Sequence, residues 1–216
     1  MSDAAPEPEA LSPVSPAPPG PSADEVARWR QLAEPVDPRL DPTWLNDRST
    51  FQGNFVHGML NPAGLHVQYH LEHAGADSDP PPPDPDPLFG VRVVGDWTAD
   101  EVHMGFPGIA HVGLLAAILD DVIGRCAALR HRWVVTGRLD VRYRAGAPVG
   151  VRLRVEGWLT RYQRRLVAGS ARILLPDGRV ACEADGTYLP IQGELEQQML
   201  ASWPGFAEYL GRDDLS

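Results

Sequence analysis

Leu114, Leu115, Ile118, Leu119, Val122, Ile123 and Cys126 recur at three- and four-residue spacing, a period that predicts a helix apolar around most of its circumference. Such a helix is expected to be buried. Wound this way, Gly113, Ala116, Asp120 and Gly124 share one stripe of small residues holding a single carboxylate, so a close neighbour is expected along it. Asp121 falls instead one turn before Arg125, the spacing of a half-exposed ion pair at the helix rim.

On either side of this helix the period drops to two. Leu65, Val67, Tyr69 and Leu71 alternate along residues 64–72, and a second strand is expected over residues 89–97. After the helix, residues 133–143, 151–159, 166–175 and 180–189 read as four more strands, with Val135, Leu139, Val141 and Tyr143 as inward positions of the first. Pro176-Asp177-Gly178 is a turn signal, and Tyr162-Gln163 lies in the short link before residue 166. Neither link has room for a crossover helix, so antiparallel hairpins are expected. The order strand, strand, helix, four strands predicts an α+β fold in which one antiparallel sheet wraps one long helix.

Composition sets the limits of that domain. Many of the 22 prolines crowd into residues 6–21 and 80–87, so residues 1–21 are expected to be a disordered Pro-rich tail and residues 22–49 a short capped helix with a wrapping loop. The folded domain is placed at residues 50–192, with residues 193–216 as a weakly helical peripheral segment. Residues 73–87 cannot be regular structure and read as an exposed acidic loop, dispensable for the fold. The net charge of −10 argues against nucleic-acid binding. Yet all 19 basic residues are arginines, 13 of them between Arg125 and Arg179. That bias fits either solvated strand faces or a phosphate-bearing ligand, with Arg142, Arg144, Arg161 and Arg164 as candidates for the latter. Cys126 and Cys182 sit in apolar segments, so neither a disulfide framework nor a cysteine metal site is expected. No secretion signal and no membrane-spanning run is apparent, and a cytoplasmic location is expected.

The usual nucleotide-binding, serine-hydrolase and zinc-protease signatures are absent from the sequence. What remains is a carboxylate in an apolar setting, able to act as general base or as nucleophile. Its complement is the helix start around His111 to Gly113, where backbone N–H groups without intrahelical partners can polarise a carbonyl oxygen.

Several spaced motifs carry a resemblance: NPAGL at 61–65, GFPGIAHVGLLAAILDD at 105–121, TGRLDVRY at 136–143, PVG at 148–150 and the closing ACEADGTYLP. Together they resemble the hotdog-fold acyl-CoA thioesterases of the phenylacetate-pathway (PaaI-like) branch, over about residues 61–190. The resemblance implies a hotdog fold, a homodimer or higher homo-oligomer, and an acyl-CoA or related thioester substrate with no metal or cofactor. It implies Asp120, nine residues after His111, as the catalytic acid, contributed by one chain to a site whose His111 loop comes from another. It further implies the Val112 N–H as oxyanion donor, Thr136 as the hydroxyl that orients the attacking water, and His111, Gly113, Asn61 and Gly105 as substrate-binding positions. Val112 stands where the family usually has glycine and Gly105 where it often has asparagine. These departures suggest an alternative, a hotdog module that binds an acyl thioester or apolar ligand without turnover. A hydratase or dehydratase is disfavoured, because that chemistry places a histidine on the helix and none lies between Gly113 and Leu129.

Overall fold

The computed structural model describes residues 54–59, 61–74, 78–82, 89–129 and 134–202. The tail at 1–21 and the segment at 22–49 lie outside these residues. Six strands form one antiparallel sheet: β1 (Gln68–His73), β2 (Val91–Thr98), β5 (Val134–Tyr143), β6 (Arg152–Gln163), β7 (Leu166–Leu174) and β8 (Val180–Pro190). Their spatial order is β1-β2-β6-β7-β8-β5, with every neighbouring pair antiparallel. Between β2 and the helix lie a 3-10 turn (Glu101–His103) and a two-stranded ribbon of β3 (Met104–Phe106) and β4 (Ile109–Ala110), where the sequence shows only a Gly-Pro-Gly-like turn. The long helix α1 spans Val112–Ala128, and a short α2 spans Glu194–Ser202. The expected α+β hotdog architecture, one sheet around one long helix, is the one observed.

Helix α1 packs through Leu115, Ile118, Leu119, Val122, Ile123 and Cys126, all buried. These two ridges, three and four residues apart, lie in a furrow of small residues across the sheet. Gly157 pairs with Ala171 and Ala171 with Ala184. A Cβ on Gly157 would lie 2.9 Å from Val122 Cγ2, and one on Gly169 only 2.6 Å from Ile123 Cγ2. The close approach therefore belongs to the sheet, not to the helix stripe. Gly124 has open space where a Cβ would stand, and Ala116, Asp120 and Gly124 are half-buried with Gly113 exposed. That corrects the expectation of a close neighbour within the chain. The helix is buried on its ridges and open along its small face.

The opposite face of the sheet is charged. Glu156, itself buried, accepts hydrogen bonds from Arg92, Arg154 and Arg172, and the Arg92 and Arg172 guanidinium groups stand 5.1 and 5.6 Å from the Trp158 ring centre. Burial pushes the Glu156 carboxyl upward, but Arg154 and Arg172 hold it below the usual carboxylate value. Residues 78–82 rest on this layer: Arg172 donates to the Asp79 carbonyl at 2.9 Å and Arg92 to the Pro80 carbonyl at 2.8 Å. The described part of the acidic loop is thus docked rather than loose. Arg142 pairs with Asp185 at 2.9 Å and Arg144 with Glu183 at 2.7 Å, which favours the solvated strand-face reading of the arginine bias.

Candidate active site

Helix α1 begins at His111, whose extended backbone (φ −64°, ψ 128°) is that of an N-cap and whose Nδ1 accepts from the Gly113 N–H at 3.0 Å. The ring is seated between two glycines. A Cβ on Gly105 would stand 2.9 Å from His111 Cα, and one on Gly113 would stand 3.0 Å from its Nδ1. Here the glycine at 105, a departure from the family's frequent asparagine, makes room for His111. The Gly113 N–H is engaged by the cap and the Leu114 N–H by the His111 carbonyl at 3.0 Å, so of the first three helical N–H groups that of Val112 is the one without a partner among the described residues. Val112 itself is 46% exposed, and its carbonyl accepts from the Tyr143 hydroxyl at 3.2 Å. Phe106, at the ribbon tip beside this turn, is 76% exposed.

Two turns along the helix, the Thr136 hydroxyl donates to Asp120 Oδ1 at 2.9 Å. This contact depends on a β-bulge. Between Thr136 and Arg138 the register of β5 against β8 shifts by one residue at Gly137. Beyond the bulge Leu139, Val141 and Tyr143 face the helix; before it the phase is reversed, so Val134 and Thr136 face inward. Val135, expected inward from plain alternation, pairs instead with the exposed Leu189 on the other face. The bulge aims Thr136 at Asp120.

Tyr188 was not marked by sequence reasoning, yet it completes the setting of Asp120. Opposite Thr136 in the ladder, it is 1% exposed, and its hydroxyl lies 2.9 Å from Asp120 Oδ1 and 3.2 Å from the Asp120 carbonyl. The ring lies along its own strand over Gly186, where a Cβ would come 2.5 Å from Tyr188 Cε2. Burial and the neighbouring Asp120 charge push the phenol well above its usual pKa, so it remains a donor. The available signal was Gly186-Thr187-Tyr188, a glycine two residues before an aromatic on one face of a strand.

Asp121 behaves differently. Its side chain is 12% exposed, pairs with Arg125 at 3.6 Å and lies 3.2 Å from His57 Nδ1. The expected ion pair exists, but it is buried and includes a histidine from the preceding turn rather than standing at a half-exposed rim. Burial pushes the Asp121 carboxyl up, and Arg125 and His57 more than reverse it, so the group sits below its usual value. Burial and the Arg125 charge lower the His57 pKa against the opposing Asp121. The ring is neutral at physiological pH, its Nδ1–H directed at Asp121 and its Nε2 accepting from Arg125 at 2.9 Å.

Asn61 sits in the turn before β1. Its Oδ1 accepts from the Ala63 N–H at 3.0 Å, and its carbonyl accepts from Gly64 and His66, the pattern of a turn that leads the chain into β1. Among the described residues, no group of three or more His, Cys, Asp or Glu side chains is placed to hold a metal, and no helix is long and apolar enough to cross a membrane.

Residues 107–182 match the family model described as Thioesterase superfamily. A crystal structure of a thioesterase superfamily protein superposes with a TM-score of 0.53 at 24% identity, over 76% of this chain and 72% of that one. Zebra fish thioesterase superfamily member 2 gives 0.49 at 16% identity, over 62% and 91%. A hypothetical thioesterase from Streptococcus pneumoniae, solved with coenzyme A, gives 0.45 at 21%, over 46% and 80%. No curated protein matches the chain.

Proposed function

From a hotdog fold whose residues 107–182 match the thioesterase superfamily, we propose that the protein hydrolyses acyl-CoA or a related acyl thioester at a site shared by two copies of the chain. The observation that carries this reading is a separation. Asp120 and the Val112 N–H lie eight residues apart on one helix, about 12 Å at 1.5 Å per residue, so within one chain they cannot meet at a single carbonyl group. A second copy, supplying its own Val112 N–H opposite the Asp120 of the first, closes that gap. The ten-residue strand β5 supports it: among the described residues it pairs on one side only, with β8, and a long unpaired edge needs cover.

The chemistry follows from the donors already in place. Thr136 gives its one proton to Asp120 Oδ1, so toward a water it can only accept. A water bridging Asp120 Oδ2 and Thr136 Oγ1 then presents its oxygen lone pair to the thioester carbonyl carbon. As the C–O bond forms, the water proton passes to Asp120 and the carbonyl oxygen, now negative, rests on the Val112 N–H of the other copy. The carbonyl re-forms, the C–S bond breaks, and the thiolate leaves with the proton from Asp120. His111 seats the loop that presents this N–H, and the half-buried small face of α1 forms the channel for the acyl thioester.

Mixing two inactive variants tests the shared site. Asp120→Asn keeps the shape of the side chain but cannot accept the proton. Val112→Pro removes the N–H at the first helical position, where proline is tolerated, after a residue whose ψ of 128° already suits it. Each variant alone is expected to be folded and inactive. Exchanged into mixed dimers at equal concentration, the pair should recover about a quarter of wild-type turnover, since half of the dimers carry one intact site of two. No recovery in verified mixed dimers contradicts the shared site. A wild type that binds acyl-CoA and never cleaves it supports the binding-module reading instead, with Val112→Gly as the variant to restore turnover.

A further inference from the structure

We propose that Tyr188 is a positioning residue for Asp120, fixing its carboxylate so that Oδ2 alone is presented to the reaction; the role rests on the thioesterase reading of this site. Three observations lead to it. First, the phenol has one proton and two acceptors within reach, Asp120 Oδ1 at 2.9 Å and the Asp120 carbonyl at 3.2 Å. The carbonyl is mid-helix and already accepts from the N–H four residues on, whereas the carboxylate is the nearer and charged acceptor, so the proton goes to Oδ1. Second, Thr136 donates to the same Oδ1 at 2.9 Å, and among the described residues Oδ2 has no hydrogen-bond partner. Two donors on one oxygen and none on the other fix the carboxylate about its terminal torsion, which is otherwise broad. Third, the donor is held as firmly as the acceptor. The Tyr188 ring fills the hollow above Gly186 and is buried between α1 and the sheet, so its hydroxyl has one direction available.

The placement has a chemical consequence. An unanchored aspartate spreads its time over orientations that exchange its two oxygens, and each wrong one removes the base from the attacking water. Thr136 alone leaves a rotation about a single hydrogen bond. Tyr188, approaching the same oxygen from the adjacent strand, removes it. The phenol touches neither water nor thioester in this arrangement, and acts only through Asp120.

The test compares Tyr188→Phe with Tyr69→Phe in the full-length protein. Tyr69 is also fully buried between sheet and helix, and its hydroxyl faces the other acid, Asp121, so it controls for loss of a buried hydroxyl as such. Phenylalanine keeps the ring in its hollow in both. With acyl-CoA substrates, Tyr188→Phe is expected to lower kcat by about 10- to 100-fold, the range for losing a hydrogen bond to a charged group, with KM unchanged, while Tyr69→Phe keeps wild-type kcat. An unchanged kcat in Tyr188→Phe, or an equal fall in both variants, overturns the proposal. The second readout needs no turnover: the side-chain carboxyl 13C resonance of Asp120, identified by its absence in Asp120→Asn. It should move in Tyr188→Phe and stay in place in Tyr69→Phe. A wild type without hydrolase activity defeats the thioesterase reading alone, and the resonance then decides for Tyr188: a shift supports the anchoring bond, and constancy overturns it.

Discussion

Adjacent aspartates on one helix point about 100° apart, and here that angle separates two kinds of chemistry. Asp120 faces the open small stripe and the two hydroxyls of Thr136 and Tyr188. Asp121 faces the turn at residues 54–59 and is enclosed with Arg125 and His57. Replacing Asp121 by asparagine takes the carboxylate out of a buried cluster in which Arg125 and His57 both face it, a loss on the order of 3 kcal/mol. The urea midpoint should fall accordingly, while kcat per folded molecule stays near wild type. The same cluster gives the wild type a pH dependence of definite sign. His57 has a folded pKa below its ordinary 6.5, so as the pH falls through 6.5 the unfolded chain takes up the proton first and stability is lost. Asp121, held below its ordinary 3.8, adds a further loss as the pH falls through that value. Melting temperatures measured from neutral pH down to about pH 4 should decline, and a flat profile would remove His57 from the account.

At the scale of elements, the helix and the strands follow from periodicity because each has one buried face and a repeat long enough to read. The furrow that receives α1 does not, since a glycine in a strand means a bulge, a weakness or a contact according to what crosses it. Gly169 is a contact. A methyl group there would meet Ile123 Cγ2 at 2.6 Å and the Trp158 carbonyl at 2.8 Å, and neither a packed ridge nor a backbone carbonyl yields easily. Gly169→Ala should therefore destabilise by about 1–3 kcal/mol, as overpacking does, seen as a lower denaturation midpoint. Gly124→Ala, with open space at that position, is the matched control. The β5 bulge was equally illegible. Plain alternation put Val135 inward, and one extra residue at Gly137 reversed the phase and brought Thr136 to Asp120.

For the whole molecule, the two faces of the sheet are used differently. One holds the helix; the other carries a charged layer closed by Trp158 and by residues 78–82. Asp79 and Pro80 supply carbonyl acceptors to Arg172 and Arg92, contacts that the expectation of a dispensable loop did not include. Replacing residues 75–88 by a short Gly-Ser linker should lower stability by about 1–3 kcal/mol, the cost of leaving largely buried donors without acceptors. An unchanged melting temperature would return the loop to the dispensable class. Pairing with carboxylates accounts for much of the arginine bias: Arg138, Arg142, Arg144, Arg152, Arg154 and Arg172 pair along the sheet, and Arg179 pairs with Asp177 in the turn between β7 and β8.

The sequence by itself determined the order of the six sheet strands and the long helix, the burial of α1 on Leu115, Ile118, Leu119, Val122, Ile123 and Cys126, and the different directions in which Asp120 and Asp121 point. All three depend on spacing along one chain, and spacing is what a periodic backbone converts into faces. Only the tertiary structure decided that Tyr188 and Thr136 share one oxygen of Asp120, that His57 joins Asp121, and that glycines on the sheet rather than on the helix permit close packing. Those contacts join residues 16 to 68 positions apart, and no local period relates them. They exist because a bulge, a strand register and a small-residue furrow were set together when the sheet closed on its helix.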